Sequence, residues 1–425
     1  MQLMKKWYSL IDKIYSKKNL EDAYRRVRAN KGKPGIDQVT VEAYGSNLEE
    51  NLETLHHDLK IGAYKPQPVR RVKIPKPDGS TRPLGIPTVK DRVVQQATLN
   101  ILQPIFDPDF HPSSYGYRPN RSCHKAIAKS EQFINKYNLR HVVDMDLSKC
   151  FDKLNHELII EEVAKKVSDG SVLKLIKKFL KSGVMEDGAL EDTEIGSPQG
   201  GVISPLLTNI YLDRFDKEMK SRNIRIVRYA DDILIFAYTP RQAKRYKDIA
   251  TEILEDELKL TVNKEKTHIT NDRKGVPYLG VIIRSQNISI QPEKIQKFKE
   301  KVRTLTPRNH GRNLSEIIKE LNPVLRGWAN YFRIANCKKQ FENLMKWIRR
   351  RLRMKKMREW KSWKQLHKTL RRKGYKGEFE KISMNKWRNS SSPLISLALP
   401  NKWFDEIGLI NISTYQVGIL HHFRK

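Results

Sequence analysis

Cysteine is scarce in this chain: Cys123, Cys150 and Cys337 lie far apart and form no Cys-x-x-Cys pair. That count excludes a disulfide framework and gives no structural zinc motif, so reduced thiols are expected. Long apolar runs are also missing, with nothing near the ~20 residues a membrane-spanning helix needs. The N-terminus places Lys5, Lys6 and Asp12 among its apolar residues and lacks a signal-peptide core. A soluble, intracellular protein without a membrane partner is the expectation. No repeat of fixed period and no low-complexity linker interrupts the 425 residues.

Negative charge is in short supply too. Against 82 Lys and Arg stand 48 Asp and Glu, a formal net charge of +34. Residues 301–425 alone hold 30 Lys and Arg against 8 Asp and Glu, so nearly two-thirds of the surplus sits in the last third of the chain. A field of this size concentrates polyanions, and counterion release favours nucleic acid as the partner. With 38% hydrophobic residues, the chain still has enough apolar surface for two or three packed domains.

Residues 1–60 carry apolar positions at helical spacing, interrupted by the basic loop Lys31 to Asp37. A hairpin follows: Val69 to Ile74, the turn Pro77-Asp78-Gly79-Ser80, then Thr81 to Leu84. The spacing predicts a strand at His141 to Leu147, helices at 155–167 and 206–219, and a hairpin formed by Ile224 to Val227 and Ile233 to Ala237. A helix at 243–258 and one strand over Tyr278 to Ile283 come next. From about 292 the pattern is helical only, which marks the expected boundary of an α/β (α+β) part followed by an all-helical basic part.

The chemistry centres on Asp231-Asp232, at the tip of the second hairpin. An Asp-Asp turn between strands is ordinarily solvated. Neighbouring carboxylates nevertheless repel, and a divalent cation is the strongest counter to that repulsion. Asp146, at the end of an apolar strand, offers a third carboxylate, although Asp144 shares its face and the pattern does not choose between them. Carboxylates from two strands around two Mg²⁺ ions would suit in-line displacement at phosphorus. Lys76 and Arg82 flank a tight turn where they could reach a triphosphate, although surface cations on a hairpin are usually solvated. The Gly196 to Gly201 loop permits close approach to a ligand and is weak evidence alone. In the basic part, Trp347 to Lys356 interleaves Arg with Trp, a pattern suited to phosphate contact and base stacking.

Six motifs in order turn these pieces into a family resemblance. They are Ile74 to Gly79 with Arg82 to Pro87, Ser114 to Pro119, Asp146 to Asp152 with Asn155-His156, Ser197 to Gly201 with Ser204 to Leu207, Tyr229 to Asp232, and Leu325 to Phe332. Together they resemble the group II intron-encoded reverse transcriptases, or maturases, of the compact subgroup that lacks a C-terminal nuclease. The resemblance implies a right-hand polymerase: fingers and palm over 1–290 with a helical extension at 1–60, a thumb or maturase X domain over 291–370, and a small DNA-contacting tail over 371–425. It implies that Asp146, Asp231 and Asp232 hold two Mg²⁺ ions, with Asp144 a bystander. Phe151 then matches the steric gate against a ribose 2′-hydroxyl, Gln199 lines the nucleotide pocket, and Lys76 and Arg82 meet the triphosphate. Lys31 to Asp37 matches a loop that closes over the template, with Gln38 where many relatives have Gly. Arg326, Trp328, Arg349, Arg350 and Arg351 are the expected RNA contacts. The implied partners are intron RNA, an RNA template with DNA primer, target DNA and deoxynucleoside triphosphates, in a bacterial cytoplasm or nucleoid-associated particle.

Three other readings share parts of this pattern. An RNA-dependent RNA polymerase would lack the steric gate, a repurposed reverse transcriptase of a retron, defence or CRISPR system would need no intron, and a purely splicing maturase would not need its three aspartates.

Overall fold

A computed structural model of the chain describes residues 6–75, 79, 81–186, 189–191, 200–307 and 311–424. It divides into two compact units, residues 1–271 and 272–425. Among the described residues no helix is long and apolar enough to cross a membrane.

The first unit opens with helices Ile11–Tyr15, Lys17–Ala29, Val41–Ser46 and Leu48–Lys60. Leu20, Ala23, Tyr24 and Val27 recur at three- and four-residue spacing and are buried, as a one-faced amphipathic helix requires. The first hairpin is β1 (Val69–Pro75) against β2 (Thr81–Ile86), antiparallel. The helix Val89–Phe106 follows, capped by the Thr88 hydroxyl, which accepts from the Asp91 N–H. Two short strands, β4 (Val184–Glu186) and β5 (Ala189–Glu191), extend this sheet in the order β2-β1-β4-β5.

A second sheet carries the candidate chemistry. Its strands are β3 (His141–Met145), β6 (Arg225–Tyr229), β7 (Asp232–Ala237) and β8 (His268–Asn271), in the order β6-β7-β3-β8 with every neighbour antiparallel. β3 thus lies between β7 and β8. Val142, Val143, Met145, Ile233, Leu234 and Ile235 are all buried, which explains why these strands read as continuous apolar runs rather than as alternation. The helix Ser204–Ser221 supplies Leu207, Tyr211, Phe215 and Met219 to the same core.

The second unit begins with a three-stranded meander, β9 (Val276–Tyr278), β10 (Val281–Arg284) and β11 (Asn287–Ile290). The single strand expected over Tyr278 to Ile283 is therefore two strands. Leu279 and Gly280 both take positive φ, +45° and +88°, and turn the chain so that Val281 pairs with Tyr278. Division by packing precedes the strand-to-helix switch, because this meander belongs with the helices that follow it. Those are Pro292–Leu305, Leu314–Phe332, Lys338–Trp360 and Trp363–Arg372. Lys361, at φ +60°, breaks the run between the last two.

Candidate active site

The sheet register assembles the carboxylates. Met145 on β3 pairs with Ile233 on β7, and Asp144 with Leu234, so one further step along the ladder sets Asp146 opposite Asp232. Directly opposed residues share a face. Asp144, Asp146 and Asp232 consequently emerge on one side of the sheet, and Asp231 sits beside them in the two-residue turn joining β6 to β7. The electrostatics agree with this placement. Burial raises the Asp232 carboxyl to about 7, with the Asp144, Asp231 and Asp146 carboxylates adding to the shift. Asp144 is raised to about 6 by burial, against an opposing pull from His268, whose Nε2 lies 3.8 Å from its carboxylate.

Asp144 therefore stands close to Asp232. Among Asp232's neighbours its charge is felt most strongly, a relationship that depends on strand pairing and that spacing alone does not reveal. Asp146 is held from β8's side of the sheet. Its N–H donates to the Thr267 hydroxyl at 3.3 Å, its carboxylate accepts from the Asn263 amide at 3.2 Å, and Lys266 Nζ stands 3.8 Å away. Among the described residues no ready-made group of three His, Cys, Asp or Glu is arranged as a metal site. The donor set nevertheless fits a hard divalent cation: it is all carboxylate oxygen, crowded onto one sheet face with its charges opposed.

The turn that presents Asp231 is locked from behind by Arg228. This side chain is fully buried and uses its guanidinium in four directions. It grips the Asp216 carboxylate through Nε at 2.9 Å and Nη2 at 2.6 Å, and donates to the Asn209 side chain at 3.0 Å, the Ser114 hydroxyl at 2.9 Å and the Ala230 carbonyl at 2.9 Å. Burial lowers the Arg228 pKa, but Asp216 outweighs it and the net shift is upward. The segment Ser113 to Gly116 runs beside the turn. Arg228 N–H donates to the Ser113 carbonyl at 2.9 Å and Tyr115 N–H to the Arg228 carbonyl at 2.8 Å. A Cβ on Gly116 would lie 2.3 Å from the Ala230 nitrogen, so only glycine lets the two backbones touch. Ala230 itself holds φ +58°, a conformation that costs a non-glycine residue energy and persists only when its surroundings enforce it. Sequence reading missed Arg228, Asp216 and Asn209 as site residues; the signal available was a lone Arg immediately before Tyr229-Ala230.

Phe151 sits in the one-turn helix Cys150–Lys153, reached through Lys149 at φ +49°. It is 8% exposed. Its neighbour Cys150 has its thiol pKa pushed up by burial and then by the nearby Asp231 charge, so the segment lies alongside the Asp231 turn. Lys76 and Gln199 lie outside the described residues, and of Arg82 only the backbone, within β2, is described. Gly200, at φ +113°, packs against the Gly85 carbonyl of β2, 2.2 Å from where a Cβ would be, which explains the glycine there. The loop from Lys31 to Asp37 is pinned by Arg70, donating to the Pro34 carbonyl at 2.7 Å, and by Arg92, donating to the Lys33 carbonyl at 2.8 Å. Gln38 takes φ +55°.

The arginines of the second unit make contacts within the protein. Arg349 is buried and donates to Asp405 at 3.3 Å. Arg350 packs over the Trp387 ring at 4.6 Å and reaches the Ser390 hydroxyl at 3.4 Å. Arg351 donates to the Thr306 hydroxyl and carbonyl, both at 2.7 Å. Each of these guanidinium groups thus has an acceptor within the protein, on Thr306 or on the 387–405 segment, while Arg349 Nε is buried without a partner. Trp328 likewise stacks on Phe298 at 4.3 Å and meets Phe332 and Phe341, whereas Arg326 is exposed. A better cationic face, missed by sequence reading, lies on the helix Trp363–Arg372. Leu366, His367 and Leu370 are buried there, while Lys364, Lys368, Arg371 and Arg372 face solvent.

Comparison with known proteins extends these observations. Residues 74–283 match the reverse transcriptase (RNA-dependent DNA polymerase) family model, and residues 295–374 match the group II intron, maturase-specific domain. The chain is 35% identical to Protein YkfC of Escherichia coli over 300 residues, covering 61% of this chain and 79% of that one. It is 35% identical over 266 residues to the group II intron-encoded protein LtrA of Lactococcus lactis, covering 60% of this chain and 42% of LtrA. A putative COX1/OXI3 intron 2 protein of Saccharomyces cerevisiae is 28% identical over 318 residues, 61% of this chain and 37% of the yeast protein. The matched region thus spans less than half the length of two of these three relatives.

Proposed function

Because the chain belongs to the group II intron reverse transcriptase and maturase family, we propose that it copies RNA into DNA and binds the parent intron RNA to assist its splicing and mobility. The observation that carries the catalytic half is the register bringing Asp146 and Asp232 onto one sheet face beside Asp231. Mg²⁺ ions held by Asp146, Asp231 and Asp232 would supply neutralisation of charge at the reacting phosphate. The protein's own part is positional. Arg228 and Gly116 hold the Asp231 turn, while Asn263 and Thr267 fix Asp146. Phe151, buried next to that turn, is suited to exclude a 2′-hydroxyl and so to prefer deoxynucleotides. Lys76, Arg82 and Gln199 complete the nucleotide site in this reading, with Lys76 and Arg82 meeting the triphosphate.

For RNA binding, the reading rests on Arg326 and on the exposed cations of Trp363–Arg372, with template, primer and target DNA as further polyanionic partners. Extension of a DNA primer on an RNA template with Mg²⁺ and deoxynucleotides tests the catalytic half. Asp231→Asn is expected to abolish extension while leaving RNA binding intact, and persistent extension in that variant overturns the assignment. Extension with ribonucleotides as good as with deoxynucleotides, unchanged in Phe151→Ala, would instead favour an RNA polymerase.

A further inference from the structure

At the far end of β6 from the Ala230-Asp231 turn lies a cavity of about 230 Å³ that the polymerase reading leaves unused. Its cationic lining comes from Lys129, Lys220 and Arg225, its aromatic lining from Phe133 and Tyr137, and none of its lining residues is acidic. Like charges gathered without a carboxylate repel one another and call for an external anion. The Lys129 ammonium bears this out: burial lowers its pKa, and Arg225 and Lys136 lower it further.

The backbone adds a second, independent feature. Arg228 N–H points away from β7, to the Ser113 carbonyl. Ile226 lies two residues earlier on the same strand edge, so its N–H and carbonyl point the same way, toward the cavity it lines. A buried edge N–H facing cations is a ready donor to a phosphate oxygen. Tyr137 at the rim is 45% exposed and is braced edge-on by Phe133 at 5.9 Å, leaving ring surface for an unpaired base.

We propose that this cavity binds a single-stranded segment of RNA, a backbone phosphate seated between Lys129, Lys220 and Arg225 with the adjoining base on Tyr137. Cations together with an exposed ring fit a strand whose bases are unpaired, and a cavity of this size admits one nucleotide rather than a duplex groove. The site is separate from the aspartates, and its failure would leave the polymerase reading untouched.

The test is photocrosslinking of a 4-thiouridine oligoribonucleotide to the full chain, mapped by mass spectrometry, with RNA affinity measured against salt. An adduct on Tyr137 or Phe133 is expected, and it is lost in the Lys220→Gln/Arg225→Gln double variant. That variant's slope of log affinity against log salt should shrink by about 0.7, one single-strand phosphate contact's worth, with primer extension at saturating template unchanged. Tyr137→Ala alone should lower affinity and leave the salt slope intact. Adducts confined to other surfaces with an unaltered slope overturn the proposal. Protection of Lys129 from acylation by inorganic phosphate but not by RNA would make this a small-anion site, and protection by polyglutamate but not RNA a protein-docking site. Either result also overturns it.

Discussion

Arg228 is the residue on which the site's geometry most depends, and its partners are spread along the chain at Ser114, Asn209, Asp216 and Ala230. Both members of its ion pair are fully buried, and removing one charge from such a pair leaves the other without compensation. Asp216→Asn should therefore cost about 3–5 kcal/mol of unfolding free energy in urea titration. Arg228→Lys keeps the charge but loses the planar fork, and an ammonium has no geometry to serve Asp216, Asn209, Ser114 and Ala230 together. That variant is expected to lower the turnover of primer extension at temperatures where it stays folded, with the KM for deoxynucleotides nearly unchanged. A fall in stability with no fall in turnover would reduce Arg228 to a structural residue. The three aspartates were legible in the sequence because carboxylates next to apolar strands stand out. Arg228 was not, since a buried arginine is recognised only by acceptors that tertiary folding brings to it. The coupling of Asp144 to Asp232 was not legible for a related reason: period-two alternation puts Asp144 on Asp146's face but cannot say which strand lies opposite.

Many strand and helix positions were readable, but the helices Cys123–Asn135 and Gly170–Leu180 and the strands His268–Asn271 and Asn287–Ile290 were not, and elsewhere a residue's backbone overrides the apolar pattern. Tyr278 to Ile283 is apolar throughout and reads as one strand, yet positive φ at Leu279 and Gly280 folds it into a corner. The helix Lys338–Trp360 shows a different limit, because the pattern does not reveal which of its arginines find acceptors within the protein. A run of arginines looks solvated when the acceptors that satisfy it lie some 40 to 56 residues away in sequence, as Ser390, Thr306 and Asp405 do. Arg351 makes two hydrogen bonds to Thr306 and covers Trp347 at 5.4 Å, and Arg349 pairs with Asp405. Arg351→Ala strands the buried Thr306 and Arg349→Ala empties the space its buried side chain fills, so each should destabilise the second unit by about 1–3 kcal/mol. Thermal unfolding followed by circular dichroism checks this, alongside an RNA affinity expected to change less than twofold while the variants are folded. Preserved stability with a collapse in RNA affinity would return these arginines to the RNA interface.

Charge is distributed over the whole molecule as unevenly as chemistry is. Residues 272–425 hold 36 Lys and Arg against 11 Asp and Glu, whereas residues 1–271 hold 46 against 37. The unit with the aspartates is thus nearly balanced, and the other carries most of the attraction for a polyanion. A balanced polymerase unit suits a site that must release and re-engage its substrate at each step; a strongly basic companion suits retention of one RNA. The exposed face of Trp363–Arg372 is where this division is most accessible to experiment, because Leu366, His367 and Leu370 anchor the helix while Lys364, Lys368, Arg371 and Arg372 are exposed, Arg371 resting over the Phe379 ring at 5.1 Å. Replacing those four with Gln removes four charges without creating a buried defect. If each meets one phosphate of a single strand, the slope of log affinity against log salt should shrink by about 2.8. Affinity at low salt should fall most, and the difference from wild type should narrow as salt rises and screens the remaining charges. Primer extension with saturating template should persist, since the aspartates and their supports are untouched. A salt slope equal to wild type would remove this helix from the RNA interface and leave Arg326 and the remaining cations of 272–425 to account for the retention of RNA.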